Sequence, residues 1–370
     1  MWFKRMTIEK ESPEELGYEN IKYNLSESSI ADLRYEDLNF TFDNLTIFYG
    51  DHSGKKELRE IIAKEHYNMD ANQVLITNGA CAALFIIHST LLMPGDHILV
   101  VKPNYATNIE VPRSLGITTN LLNLTFENNF DVDIDELRSR ITPETKLISI
   151  TYPHNPTGVM ISEDKLNKII EIAEEHNCYL VVDETYRDLT LGEKLSTAAS
   201  LSSKVISVES LSKAYGLPGI RMGWLATQDS NLKEAFLATK EQISICNSVF
   251  DEEIAYHVFK NREKFLESTR EDNLLKFNIV KKWMGEQKYL EWVEPKGGVI
   301  CFPRIKLDID IDTNEFYKVL FEKYGTLVGA GRWFEMSDRH FRIGYAWPTV
   351  EQLKGGLDSI IKTIEELKKN

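Results

Sequence analysis

Ser210-Leu211-Ser212-Lys213-Ala214-Tyr215-Gly216-Leu217-Pro218-Gly219-Ile220-Arg221-Met222-Gly223 places one lysine behind an apolar strand, two hydroxyls ahead of it and an arginine eight residues on. The glycines between them let the backbone turn closely around those side chains. A lysine at a strand end in an α/β pocket can be desolvated and its pKa lowered, the condition for forming a Schiff base. Ser210, Ser212 and Arg221 nearby would hold a phosphate through charge-assisted hydrogen bonds. A lone Ser-Lys-Ala is ordinarily a solvated surface turn, so the meaning of the stretch depends on its surroundings.

Upstream, short β-rich runs alternate with longer amphipathic ones, the signature of a mostly parallel sheet flanked by helices in an α/β fold. Strands are expected at 74–77, 97–101, 146–152, 179–182 and 204–208, and helices at 55–67, 80–92, 163–177 and 231–244. In 163–177 the apolar Leu166, Ile169, Ile170 and Ala173 share one helical face, with Ser162 as N-cap lacking a full capping box. Residues 251–283, charged and free of Gly and Pro until Trp283, predict one long helix leaving the central part. Beyond it, 297–302 and 341–346 read as strands and 350–369 as a terminal amphipathic helix. The expected division is a large domain over 48–254 and a smaller α+β domain formed by 1–47 and 255–370.

The 370 residues carry 43 Lys plus Arg against 57 Asp plus Glu, a formal charge of −14, with 42% hydrophobic residues. A chain of this size and composition buries a sizeable core. Its acidity argues against nucleic acid and anionic membranes as partners, and no basic patch offsets it. The apolar region 80–93 is interrupted by His88, Ser89 and Thr90 and falls short of the roughly 20 residues of a spanning helix. Cys81, Cys178, Cys246 and Cys301 lie far apart, without metal-ligand spacing. They read as reduced thiols, and with no apolar leader in 1–7 a cytoplasmic location is expected. Gly329-Ala330-Gly331 lacks the third glycine of a dinucleotide fingerprint.

Six further strings stand in order along the chain: Tyr49-Gly50-Asp51-His52-Ser53-Gly54, Thr77-Asn78-Gly79-Ala80-Cys81, Lys102-Pro103-Asn104-Tyr105, Asn155-Pro156-Thr157-Gly158, Asp183-Glu184-Thr185-Tyr186 and Phe341-Arg342-Ile343-Gly344-Tyr345-Ala346. Each has an ordinary use when taken singly, as a turn, a helix cap, a core aromatic or a surface ion-pair partner. Together with 210–223 they resemble the class I/II aminotransferases, the fold type I enzymes that use pyridoxal 5'-phosphate. The resemblance implies that Lys213 forms the Schiff base, that Asp183 pairs with the pyridinium nitrogen, and that Asn155 and Tyr186 reach the ring's phenolic oxygen. It implies Tyr105 stacked on the ring, and a phosphate held by Gly79, Ala80 and Cys81 at a helix N-terminus with Ser210, Ser212 and Arg221. Arg342 is similar to the arginine that clamps the substrate α-carboxylate, with Asn155 beside it. Tyr49 matches the tyrosine that reaches the phosphate of the neighbouring subunit, which implies a homodimer.

The implied activity is transfer of an amino group between an L-amino acid and a 2-oxo acid, with Lys213, Asp183 and Tyr186 as the catalytic set. The strings 152–158, 212–219 and 297–304 also resemble capreomycidine synthase-like members, which implies elimination with cyclisation as an alternative; a C–S lyase is another. A non-catalytic regulator on this fold would need a DNA-binding module, and no basic helix-turn-helix precedes Tyr49. The family's N-terminal arm carries a Gly-x-Pro-Asp type turn, and Leu25-Ser26-Glu27-Ser28-Ser29-Ile30 stands here instead. Arg187, Arg304 and Arg332 are the candidates for a second carboxylate clamp, and His154 is expected to be a polar wall residue rather than a base.

Overall fold

The computed structural model describes residues 2–369, without the side chains of 65–67. The first strand, β1 (Tyr23–Leu25), lies in a small sheet of its own. The large sheet contains β2 (Val74–Thr77), β3 (His97–Lys102), β4 (Thr118–Asn123), β5 (Thr145–Thr151), β6 (Tyr179–Asp183), β7 (Val205–Ser210) and β8 (Gly223–Thr227). Their spatial order is β2-β8-β7-β6-β5-β3-β4. The pairs β3–β4, β3–β5, β5–β6 and β6–β7 are parallel. Every residue of β2, β7 and β8 is buried, so none of the three alternates between covered and exposed residues.

Two strands of the large sheet lie outside the sequence expectation, for different reasons. In β4 exposed and covered residues alternate at the sheet edge, a weak apolar signal. The strand β8 directly follows the lysine turn, a link too short for a crossover helix, so it returns antiparallel to β7 and β2. The helices Gly79–Leu91, Glu163–Glu175 and Ser230–Ser244 match their expected places, and Ser162 Oγ accepts from the Lys165 amide at 3.2 Å. Residues 55–67 form the α-helix Lys56–Ile61, continued as a wider π turn over Ile62–Tyr67.

The single long helix expected over 251–283 is two, Val249–Lys260 and Arg262–Gly285. Asn261 between them leaves helical geometry at φ −112°, and its Nδ2 donates to the His257 carbonyl at 2.8 Å. Asparagine competes with the backbone ladder in this way, and no Gly or Pro is needed for the break.

In the chain's last third, β9 (Leu290–Glu291) pairs with β11 (Arg304–Ile305), while β10 (Ile300–Cys301), β12 (Thr326–Ala330) and β13 (Phe341–Gly344) join β1 in the order β1-β12-β13-β10. The parallel pairing of β1 with β12 ties the N-terminal segment to the far end of the chain. At the next turn a Cβ on Gly344 would overlap the Glu27 carbonyl oxygen, so the segment after β1 lies directly on β13. Among the described residues no helix is long and apolar enough to cross a membrane, and no three His, Cys, Asp or Glu side chains are grouped for a metal.

Four histidines are buried, and desolvation lowers the pKa of each: to about 3 at His88, to about 4 at His154 and His340, and in the same direction at His97. Unfolding returns each to about 6.5, so the unfolded chain binds more protons below that pH and stability falls as pH drops from about 6.5 towards 4. Neither ring nitrogen of His88 has a hydrogen-bond partner. Urea unfolding of His88→Leu should therefore lose less stability between pH 7 and pH 5 than the parent, by up to about 2 kcal/mol; equal losses in the two proteins would refute this.

Candidate active site

In the large sheet β4 lies on one side of β3, and β5, β6 and β7 continue on the other. Chain direction across the sheet thus reverses between β3 and β5, where the loops after the strands part and leave a crevice at the carboxyl edge. Tyr105 follows β3, Asn155 follows β5, and Asp183 and Ser210 end β6 and β7. A cavity of about 400 Å³ occupies this place. It is lined by Ala80, Cys81, Tyr105, Asn155, Asp183 and Tyr186, by Ser210, Ser212, Lys213, Arg221 and Arg342, and by residues of the N-terminal arm.

One end suits an anion. The helix Gly79–Leu91 begins there, and its first-turn N–H groups have no acceptor within the helix. Gly79 has φ +80°, and a Cβ on it would lie 2.7 Å from Arg221 Nη2, so the guanidinium rests directly on the helix start. Arg221 is held by its own Nη1, which donates to the Pro218 carbonyl at 2.8 Å. The Ser210 and Ser212 hydroxyls complete a set of neutral and cationic donors fitted to a phosphate.

Deeper in, Asp183 is buried, and its Oδ1 accepts from the Thr185 amide at 3.1 Å and from Thr185 Oγ1 at 2.6 Å. Burial pushes this carboxyl above the usual carboxylate range, while the Thr185 hydrogen bonds oppose the shift. Its second oxygen has no such partner among the described residues, and a desolvated carboxylate of this kind fits a protonated ring nitrogen. Lys213 Nζ donates to Ser28 Oγ at 3.0 Å, and Tyr186 donates through its hydroxyl to the Ser28 carbonyl at 2.8 Å. Tyr105 OH lies 3.1 Å from Cys81 Sγ, which fixes its ring at the cavity wall.

Arg342 is 3% exposed. Its Nη1 donates to Asn155 Oδ1 at 3.0 Å and its Nη2 to the Ser26 carbonyl at 2.7 Å, while Nε has no partner among the described residues. Burial lowers the guanidinium pKa below its ordinary value. A carboxylate arriving here would relieve both the desolvation and the orphaned N–H.

The sequence strings thus converge on one cavity, with two exceptions. Tyr49 is 77% exposed and outside it, beside the exposed Ile47 and Phe48. His154 is buried away from it, with Nε2 2.8 Å from the Pro103 carbonyl and Nδ1 2.7 Å from Thr157 Oγ1, and so it braces the loop after β5. The three arginines considered for a second carboxylate are engaged elsewhere. Arg187 donates to the Leu195 carbonyl, Arg304 pairs with Glu127 and Glu291, and Arg332 pairs with Glu11 and Asp338.

Sequence reading missed Ser28 and Ser26, which touch Lys213, Tyr186 and Arg342 across separations of 185, 158 and 316 residues. The only signal was negative, the departure of 25–30 from the family's turn.

Residues 41–360 match the family described as aminotransferase class I and II. The chain is 28% identical over 309 residues to the arginine–pyruvate transaminase AruH of Pseudomonas aeruginosa, covering 80% of this chain and 77% of that protein. It is 26% identical over 329 residues to the capreomycidine synthase of Streptomyces vinaceus, covering 86% and 81%. A PLP-dependent aminotransferase from Streptococcus suis superposes with a TM-score of 0.92 at 27% identity, each chain covered fully.

The phosphate-type end depends on close backbone approach at Gly223, where a Cβ would meet Gly79 C at 2.7 Å, Ala80 N at 2.8 Å and Glu209 O at 2.8 Å. Gly223→Ala should cost about 1–3 kcal/mol in denaturant unfolding. Gly219→Ala, with open space around the added atom, should stay within about 0.5 kcal/mol; equal effects would contradict the packing described.

Proposed function

The chain belongs to the class I and II aminotransferases, and from that membership we propose how its residues act: Lys213 holds pyridoxal 5'-phosphate while an amino group passes between an L-amino acid and a 2-oxo acid. The observation that carries this reading is the convergence of Lys213 Nζ, the half-satisfied Asp183 carboxylate and the half-engaged Arg342 guanidinium on one cavity with an anion cradle. The residues fit the cofactor. Gly79, Ala80, Cys81, Ser210, Ser212 and Arg221 would hold its phosphate, Tyr105 its ring face, Asn155 and Tyr186 its phenolic oxygen, and Asp183 its ring nitrogen.

When bound, pyridoxal phosphate supplies the carbonyl carbon that takes up the amino group and a conjugated ring that delocalises the electron pair left at Cα. Asp183, an anion in a desolvated place, keeps a proton on the ring nitrogen and so maintains that electron demand. Arg342 fixes the donor's α-carboxylate and thereby its Cα above the ring face. Lys213 Nζ, oriented by Ser28 Oγ, removes the Cα proton and returns one at the carbon that carried the carbonyl. The arm that supplies Ser26 and Ser28 also lines this cavity.

The remaining parts of the reading have separate support. A homodimer with Tyr49 reaching the neighbouring cavity is supported by the exposure of Ile47, Phe48 and Tyr49 away from their own site. The division into 48–254 and the remainder is supported by the sheets, the seven-stranded one lying within the first span and the two smaller ones within the rest. A cytoplasmic location is supported by the four free cysteines. Elimination with cyclisation, favoured by the likeness to capreomycidine synthase, would consume an amino acid with no oxo-acid acceptor.

Lys213→Ala should abolish both turnover and the visible absorbance of lysine-bound cofactor. Arg342→Lys should keep that absorbance and raise the KM of the amino donor about 10–100-fold, the loss of a charge-assisted two-point contact. In the wild type an amino acid should discharge the band and a 2-oxo acid restore it; amino-acid consumption independent of any acceptor would sink the transfer reading in favour of cyclisation. Tyr49→Phe should weaken cofactor retention in the dimer, measured by dialysis, without changing the sedimentation coefficient.

A further inference from the structure

The outer wall of the cavity is built by the N-terminal arm, and its charge is opposite to that of the inner end. Glu9, Glu14, Glu27 and Asp32 line it, in the same cavity as Lys213 and Arg342. None of the four forms an ion pair among the described residues: Arg5 pairs with Glu15 at 2.8 Å and Arg332 with Glu11 at 2.9 Å. The partners they do have are neutral. Tyr18 OH donates to Glu27 Oε1 at 2.9 Å, and Trp347 Nε1 donates to Asp32 Oδ2 at 3.0 Å. Such donors orient a carboxylate without cancelling its charge.

Glu27 occupies the decisive place. Its neighbour Ser26 accepts from Arg342, and its neighbour Ser28 accepts from Lys213. The residue therefore sits between the carboxylate clamp and the amine, half-buried, where Glu9, Glu14 and Asp32 at the rim are exposed. Burial raises the pKa of the Glu27 carboxyl, with the charge of Glu14 adding to the shift and Lys213 and the Tyr18 hydrogen bond opposing it. At the inner end the Arg342 Nε, buried and unpartnered, independently calls for a ligand carboxylate. Ile8, Pro13 and Trp333 line the same cavity and offer apolar surface suited to a methylene stem.

We propose that this arm selects an amino donor with a cationic side chain, a guanidinium or an ammonium, whose α-carboxylate lies on Arg342 and whose charged tip lies among Glu9, Glu14, Glu27 and Asp32. The inference rests on reading the cavity as an amino-acid site. In the transfer the donor's Cα loses its amino group and becomes the carbonyl of a 2-oxo acid, while an added 2-oxo acid such as pyruvate gains that amino group. A donor with a second carboxylate meets four like charges here, and Arg187, Arg304 and Arg332 are all committed elsewhere. A neutral side chain leaves the wall uncompensated.

The test uses the full-length, cofactor-loaded protein and two readouts. Calorimetry compares 5-guanidinopentanoate, hexanoate and adipate, acids that bind without an amine to react and so report on the wall apart from chemistry. Turnover with pyruvate compares L-arginine, L-lysine, L-citrulline and L-glutamate. The guanidino acid should bind at least about tenfold tighter than the other two, and arginine or lysine should exceed citrulline and glutamate by about the same factor in kcat/KM. Glu27→Gln, which keeps the Tyr18 hydrogen bond, should reduce that discrimination about tenfold through KM with kcat little changed. The exposed Glu14→Gln should reduce it less. Equal binding of the three acids, preference for adipate, or full discrimination retained when Glu14, Glu27 and Asp32 are all neutralised to amides would overturn the proposal while leaving aminotransfer intact. Selective binding of the guanidino acid with no donor discharging the absorbance band would instead overturn aminotransfer and leave the wall's role standing.

Discussion

Parallel pairing from β3 through β7 brings the carboxyl ends of the strands to one edge, and every group in the cavity either hangs from that edge or is pressed against it. Thr151, Asp183 and Ser210 are the last residues of their strands, and Tyr105 and Asn155 follow theirs within a few residues. The antiparallel β8 starts at the same edge, so the turn that carries Lys213 leaves and re-enters the sheet beside Asp183. The helix Gly79–Leu91 opens there too, because β2 also ends at that edge. Backbone direction thus gathers an amine, a desolvated acid and an anion cradle before any side chain makes a specific contact.

That gathering creates an electrostatic gradient inside a protein of formal charge −14. Lys213, Arg221 and Arg342 stand at the inner end, Glu9, Glu14 and Asp32 at the rim, and the half-buried Glu27 between them. Over so short a span, and partly out of water, the local arrangement outweighs the net charge by far. The acidity of the whole chain bears on polyanions and solubility. Within the cavity, orientation of a zwitterionic ligand is decided by which wall each of its ends can approach.

Much of this was legible in the sequence, and the illegible part has a common cause. Buried parallel strands announce themselves as apolar runs, so β2, β3, β5, β6 and β7 could be placed within a residue or two. The strand β4 could not, since one face is wet, nor β8, whose Gly-Trp-Leu-Ala-Thr merges with the turn before it. Asn261 breaks a helix with a side-chain bond that has no compositional flag. Most cavity-lining residues of those strings were readable because they sit at or just beyond a strand end, or at a helix start. Ser26, Glu27 and Ser28 were not, because what brings them to Lys213 and Arg342 is a three-residue parallel ladder with a strand some 300 residues away in the chain.

The contact of Gly344 with the Glu27 carbonyl bears on how such a site can change its preference over evolutionary time. With no atom's width between the arm and β13, the main chain at 26–28 has a single course, shared by Arg342 two residues before that glycine. Insertions or a re-routed loop here would dislodge the carboxylate clamp together with the arm. A change of preference here is therefore confined to exchanging side chains at fixed main-chain positions, position 27 between Ser26 and Ser28 among them.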